Sequence, residues 1–499
     1  MTKVNLPHPN GRRRLWRRWL LRGLAVATGL LPLIVAELAL RWADYPPPAA
    51  IDPYVDLHQL RPLFEPVPGD PQRVHIAPER LHLFRPVSFT RHKPPDTIRV
   101  FALGGSTTQG EPYSTETAFP RWFGEAMQLA DPTHRYEVIN CGGLSYASYR
   151  VLAVLREVMQ YEPDWILVYT GHNEFLERRT YDHLQEKNWK NQLLSRTRRL
   201  HTVRALGELF RGARPAGDRS TKPLTVIQSE VDALLDYRGG LDAYHRGDPW
   251  MQGVVPHFAW NLEQMLRLCR QARVPLILIR PVSNLADCPP FKIEPPPNLP
   301  PDRLEAFQSL WDAARGEADP SRAAALANQV LALDPEHAGA HYLLGRLAYE
   351  RNDAAEADRH LVLARDFDVC PLRATTPVLE VIDRLARRYQ CVFVDAEQLF
   401  AVRSHLQIVG NQWLVDHIHP SIEGHQLLGH EIARACINNG MVDAPESNWA
   451  QEVDERFRDL LLQLDESYFH RARQRLEGLR LWTQGRANKI RSAAPYTAD

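Results

Sequence analysis

The sequence carries no excess charge of either sign: lysine plus arginine and aspartate plus glutamate stand at 60 each in 499 residues. Nucleic-acid binding normally shows as a basic surplus, so that class of partner has no support. Cysteine is sparse, with six residues (141, 269, 288, 370, 391 and 436) scattered and never arranged as CxxC. Zinc ribbons and dithiol redox motifs are thereby excluded, and the cysteines read as small buried residues. HExxH is missing too, so no local metal-ligating pair stands out. What remains is an ordinary globular composition in a chain long enough for two or three folded units.

One long apolar run is present. Arg12, Arg13, Arg14, Arg17, Arg18 and Arg22 crowd the N-terminus, and from Trp19 to Leu40 the chain is nearly all apolar, broken only by Arg22, Pro32 and Glu37. About 20 residues suffice to cross a bilayer. The arginines ahead of the run predict a cytoplasmic N-terminus (1–18) and an extracytoplasmic remainder. A cleaved signal peptide wants a small-x-small site, and Arg41, Trp42 and Ala43 make a poor one. The expectation is an uncleaved transmembrane signal anchor over 19–41, then a linker and N-terminal extension over 42–96 opening on the stiff tract YPPPAAIDP.

Short, nearly continuous apolar runs predict buried parallel strands at Ile98–Leu103, Tyr136–Ile139, Trp165–Tyr169, Pro275–Ile279 and Cys391–Val394. Helical patterns lie between them, around Ala118–Leu129, Tyr149–Tyr161, Trp260–Gln271 and Thr376–Tyr389, with a last helix near Ser421–Asn438. This alternation predicts a doubly wound α/β sheet. Residues 301–370 break the rhythm with a period of 34, pairing Ala323 with Ala357 and Leu310 with Leu344. The second unit resembles a tetratricopeptide repeat (Leu344-Gly345, Ala357, Leu361, Ala364), whereas Trp311 replaces the glycine of the first. Two such repeats are too few to stand alone, so they should dock on the α/β domain, whose parts are 97–300 and 371–440. The extension 441–499 reads as one or two amphipathic helices over Asn448–Ala487, and Lys187–Pro223 as a loop or surface helices.

The chemistry gathers at strand ends. The first strand runs into LGGSTTQG, where two glycines permit a tight turn before Ser106. The second ends in NCGGLSYAS, whose small residues expose backbone N–H groups, and the third in TGHNEF, where Asn173 offers an amide donor. Late in the chain VDHIHPSIEGH supplies Asp416 and His419, three apart, so that a tight turn lets the carboxylate orient the imidazole. Ligands of open α/β sheets bind outside the carboxyl ends of the strands. A nucleophile, candidate oxyanion donors and a base therefore converge on one edge, as acyl transfer requires. His417 reads as a structural or rim residue, and His425 and His430 as surface or packing residues. A metal set of His172, Glu174, Asp416 and His417 is the weaker alternative. The segment Pro281–Lys292 should line the cleft.

With GGST at Ser106, GHNE at Asn173 and DHIH at Asp416 and His419, the chain resembles the SGNH (GDSL-type) hydrolase family over roughly 97–173 and 276–440. The resemblance implies a flavodoxin-like parallel sheet carrying inserted tetratricopeptide-like hairpins, as in the repeat-containing members of bacterial envelopes. The family's oxyanion glycine falls on Ser145, with Gly143 as the fallback if the turn is shifted. The roles implied are catalytic for Ser106, Asp416 and His419 and oxyanion-stabilising for Ser145 and Asn173, with neither cofactor nor metal. The implied substrate is an acylated small molecule or an O-acyl group on an envelope glycan or lipid. An acyltransferase with the same site, and a non-catalytic scaffold holding a protein partner at the repeats, are the alternatives. The expected location is the bacterial inner membrane, single-pass, with the catalytic domain periplasmic.

Overall fold

The computed structural model describes residues 60–179 and 230–485 almost continuously, plus Trp19, Leu21, Leu24, Thr28, Gly29, 31–40 and a few residues at 52–56, 181, 202 and 225–226. Five strands form one parallel sheet, the three central ones mostly buried: β1 (Thr97–Gly104), β2 (Arg135–Gly142), β3 (Trp165–Tyr169), β4 (Leu276–Arg280) and β5 (Val392–Asp395). Their order across the sheet is β2-β1-β3-β4-β5, the flavodoxin-like arrangement. After β2 the chain returns to the other side of β1, so the topological switch lies between β1 and β3. Gly104 is level with Gly142 on one side and Tyr169 on the other, so the three strand ends share one edge.

Helices cover both faces because the strands alternate two apolar sets. Val100, Ala102, Leu167, Ile277 and Ile279 face the layer holding Phe119, Trp122, Phe123, Leu428 and Ile432. These belong to α1 (Phe119–Ala130) and, further along the chain, the helix Ile422–Asn438. The opposite layer is α2 (Ser148–Val158), α3 (Val254–Ala272) and the helix Thr376–Tyr389, which pack side by side. Each large apolar side chain so buried contributes roughly 1.5–3 kcal/mol. All six cysteines are free, and five are buried.

Between β4 and β5 stand α4 (Pro301–Gly316), α5 (Pro320–Leu333), α6 (Ala338–Glu350) and α7 (Ala354–Asp366), two successive helical hairpins. Small residues set their spacing: a Cβ added to Gly345 would lie 2.7 Å from Leu361 Cγ. Trp311 packs edge-on to His337, with ring centroids 4.7 Å apart. The insert docks on the sheet domain, with Ala348, Ala357 and Leu361 against Leu285, Ala286 and Ile408.

One feature exceeds the sequence reading, and a second, the amphipathic helices expected over Asn448–Ala487, is present and packs into the core. Part of the N-terminal extension is an antiparallel three-stranded sheet (Phe64–Val67, Asp70–Ile76, Ser88–Thr90). Its Phe64 and Phe89 pack edge-on to Tyr161 at 5.6 and 5.4 Å. Next to them the buried Arg99 donates to Glu137 (2.6 Å), Tyr161 O (2.9 Å) and Thr90 O (2.9 Å). The second feature is the C-terminal extension, whose helices after α8 (Thr376–Tyr389) and α9 (Ile422–Asn438) are α10 (Trp449–Leu462) and α11 (Glu466–Thr483). Trp449, Val453 and Phe457 of α10 join the core beside α1.

By compactness, residues 1–50 and 181–223 form one unit and 51–180 with 224–499 another. In the former the described residues of the expected anchor are helical, and Leu31, Leu33, Ile34, Val35 and Leu38 are exposed. Among the described residues no helix is long and apolar enough to cross a membrane. The rest of 19–41, and Lys187–Pro223 apart from Thr202, lie outside the described residues.

Candidate active site

Ser106 is the first residue of a single helical turn, Ser106–Gln109, that begins directly where β1 ends. Its hydroxyl lies 2.7 Å from His419 Nε2, and His419 Nδ1 lies 2.7 Å from Asp416 Oδ2. Asp416 Oδ1 accepts the backbone N–H groups of Ile418 and His419, both at 2.8 Å. That pair of bonds is the tight turn that lets residues three apart face each other. The turn is closed further by Val415 N–H donating to His419 O at 2.9 Å.

Burial alone would raise the Asp416 pKa. The imidazoles of His419 and His417, with the hydrogen bonds from His419 and the Ile418 N–H, more than offset it and hold the carboxyl well below the usual carboxylate range. Asp416 is thus an anion fixed behind the imidazole. His417 is buried, edge-on to Phe291 at 5.1 Å, and burial holds its pKa down to about 4 against the opposing pull of Asp416. It is a neutral packing residue beside the pair.

The donors expected around the serine are placed by three loops. An added Cβ at Gly105 would lie 2.5 Å from Asn173 Nδ2 and 3.5 Å from Tyr146 O, so the loops after β1, β2 and β3 touch here. Only glycine permits that approach. One Asn173 amide hydrogen goes to Tyr146 O at 3.1 Å, leaving the other available. Ser145 has φ +59°, the left-handed conformation that glycine adopts freely and that costs other residues on the order of 1 kcal/mol. Among the described residues nothing takes the N–H of Ser106 or Ser145. Gly143 N–H, by contrast, donates to Gly104 O at 3.0 Å. The fallback donor is therefore spent within the fold, which leaves Ser145 as the one with a free hydrogen.

The metal set weighed from the sequence does not assemble. His172 Nδ1 accepts the Ala374 N–H at 3.1 Å, and the Glu174 carboxylate accepts both Ser148 N–H (2.8 Å) and Ser148 Oγ–H (2.9 Å). Asp416, His417 and His419 alone bring ligand-type atoms within 4.8 Å of one another among the described residues. A cation on His419 would have to displace Ser106 or Asp416 from a ring nitrogen, since both nitrogens are engaged.

Sequence reasoning missed several supports. Glu174, weighed only as a ligand, ties the third loop to the second from a fully buried position. His425, read as surface or packing, is fully buried and accepts the Phe119 N–H at 3.2 Å; His430 stacks on Trp449 at 4.8 Å. Helix α11 borders the site. Tyr468 OH meets Thr117 Oγ1 at 2.7 Å, Arg475 donates to Tyr113 O, and Arg480 reaches Val415 O at 3.5 Å. Only its amphipathic spacing was legible beforehand.

No family model and no curated protein matches the chain. Among solved structures, it is similar to a lipase/acylhydrolase from Enterococcus faecalis at 13% identity, covering 70% of this chain and 99% of that one, with TM-score 0.31. An acetylxylan esterase from Geobacillus stearothermophilus matches at 13% identity over 70% of this chain and 96% of that one, TM-score 0.31. A GDSL-like lipase from Bacteroides thetaiotaomicron matches at 13% over 68% and 89%, TM-score 0.28. Likeness at this level transfers neither substrate nor residue roles, and the chemistry is read from this chain's own side chains.

Proposed function

We propose that the protein is a serine esterase of the SGNH type, cleaving O-acyl esters through an acyl-enzyme on Ser106. The single observation that carries this reading is the unbroken line Ser106 Oγ–His419 Nε2 and His419 Nδ1–Asp416 Oδ2, each link 2.7 Å. His419 accepts the hydroxyl proton as Ser106 attacks the ester carbonyl, and Asp416 stabilises the imidazolium that forms. The N–H groups of Ser106 and Ser145 with the free Asn173 amide hydrogen stabilise the oxyanion. His419 then protonates the departing alkoxide. Water, deprotonated by the same imidazole, releases the acid and restores Ser106.

The acyl group is taken to sit on an envelope glycan or lipid, because the basic, apolar N-terminus reads as an inner-membrane anchor with the enzyme on the periplasmic side. The hairpins α4–α7 are read as tetratricopeptide-like, consistent with the small residues at Gly345, Ala357 and Ala364. The test is covalent labelling by a fluorophosphonate, with hydrolysis of acetylated sugars and simple aryl esters measured in parallel. Labelling is expected in the wild type and lost in Ser106→Ala, with hydrolysis falling by about 10⁶. Equal labelling of a folded Ser106→Ala would sink the proposal. A reporter fused after the proline-rich tract tests location, a cytoplasmic signal refuting the orientation.

A further inference from the structure

The loop after β4, expected to line the cleft, contains a residue with a different task. Asn284 is 1% exposed, and every polar group it owns is engaged. Its N–H donates to His417 O at 2.9 Å and its Nδ2 to Asp416 O at 3.0 Å and Asn411 Oδ1 at 2.8 Å. Its Oδ1 accepts the Asp287 N–H at 2.9 Å, and its carbonyl accepts Arg373 Nη1 at 2.9 Å. One side chain and its own amide therefore grip two consecutive carbonyls of the turn that carries Asp416 and His419.

That loop is held from the far side by the helical insert. Arg346 of α6 donates to Ala286 O at 2.9 Å and pairs with Asp287 Oδ1 at 3.1 Å, while Tyr342 OH donates to Ala286 O at 3.3 Å. Asp287 Oδ2 in turn accepts Asn411 N–H at 2.8 Å. A continuous set of hydrogen bonds runs from α6 through the loop to the carboxylate–imidazole turn.

We propose that Asn284 is the positioning residue of the Asp416–His419 turn, and that the helical insert, through Arg346, fixes the loop from which Asn284 acts. The inference rests on reading Ser106 and His419 as nucleophile and base. Without Asn284 the carbonyls of Asp416 and His417 lose the donors that hold them, and the turn is free to rotate about Ile418. A displacement of about 1 Å in a reacting pair costs on the order of 100-fold in rate. The effect falls on kcat, not on binding of the substrate.

The test measures fluorophosphonate inactivation across pH for wild type, Asn284→Ala and Arg346→Ala, with kcat and KM for an aryl acetate. Asn284→Ala is expected to lower the inactivation rate and kcat by about 10- to 100-fold, leave KM within twofold and shift the midpoint of the pH profile. Arg346→Ala, a change at a partly exposed site on the insert, is expected to lower the same rates about threefold, with less than additive loss in the double variant. A folded Asn284→Ala with wild-type rates and a superimposable pH profile overturns the positioning role. If Asn284→Ala fails to fold, Arg346→Ala decides, and wild-type rates in it overturn the proposal. A wild type that never reacts with the probe removes the esterase reading itself, an outcome separable from the other two.

Discussion

Both the sheet edge and the helical insert bury a histidine at hydrogen-bond distance from a partner able to share a proton. At the edge His419 Nε2 faces Ser106 at 2.7 Å; in the insert His341 Nδ1 faces His360 Nδ1 at 2.8 Å. The difference lies behind the ring. His419 is backed by Asp416, an anion held by two backbone N–H groups, whereas His341 Nε2 meets only the Pro335 carbonyl at 2.9 Å. Burial lowers the pKa of His341 and His360, the latter to about 4, so this pair passes through neutral pH uncharged. An imidazole becomes a candidate base through the carboxylate behind it and the hydroxyl in front of it, and burial alone makes a packing residue.

The sharpest way to break this comparison is Asp416→Asn, which keeps the shape of the turn but removes the anion. Esterase kcat should fall by about 10⁴, while His341→Ala leaves it within twofold. Steady-state hydrolysis of an aryl acetate reads both, and a large loss in His341→Ala would erase the distinction. Next comes Gly105→Ala, whose methyl must push Asn173 away from the serine. Loss of one oxyanion donor predicts a fall in kcat of about 10² with KM little changed. The insert has its own counterpart in Gly345→Val. Overpacking against Leu361 should cost about 1–3 kcal/mol in urea unfolding and leave kcat per folded molecule intact.

The smallest effect is in pH. His417 and His425 are fully buried and held at about 4 and about 3, below the ordinary value of 6.5, by desolvation first. The unfolded chain therefore takes up protons below pH 6.5 that the native protein refuses, and stability falls as pH drops from about 6.5 toward 3. The Asp416 carboxyl works lower, its contribution being present above the usual carboxylate range and lost beneath it. Thermal midpoints between pH 7 and 4.5 should decline, and His425→Gln should flatten the decline. An unchanged slope in that variant would show that His425 is not among the groups responsible.

How much of this was readable beforehand follows from the range of the interactions. The strands were legible because buried parallel strands are continuous apolar runs, and the Ser106, Asn173 and Asp416–His419 blocks because each is local to a strand end or turn. Arg99 hid the opposite way, as a charge inside a strand that is satisfied by partners from elsewhere in the fold, among them Glu137, Tyr161 O and Thr90 O. The three-stranded sheet at 64–90 was missed although Pro68-Gly69 marks its hairpin, since its strands are short and two of them contain a proline, Pro66 and Pro71. Asn284 and Glu174 act on backbone atoms far away in sequence, and no spacing rule records such a partner. Ser145 lay between the two cases. The departure from glycine was visible, but its left-handed backbone was not.

Helix α11 gives the molecule an order of events. The loop that follows the nucleophile is secured by Tyr468 at Thr117 and by Arg475 at Tyr113, partners separated by 351 and 362 positions. A ribosome delivers Ser106 early and Arg475 hundreds of codons later. Until then the nucleophile's own loop lacks these two partners, so a nascent or truncated chain lacks the finished mouth of its site.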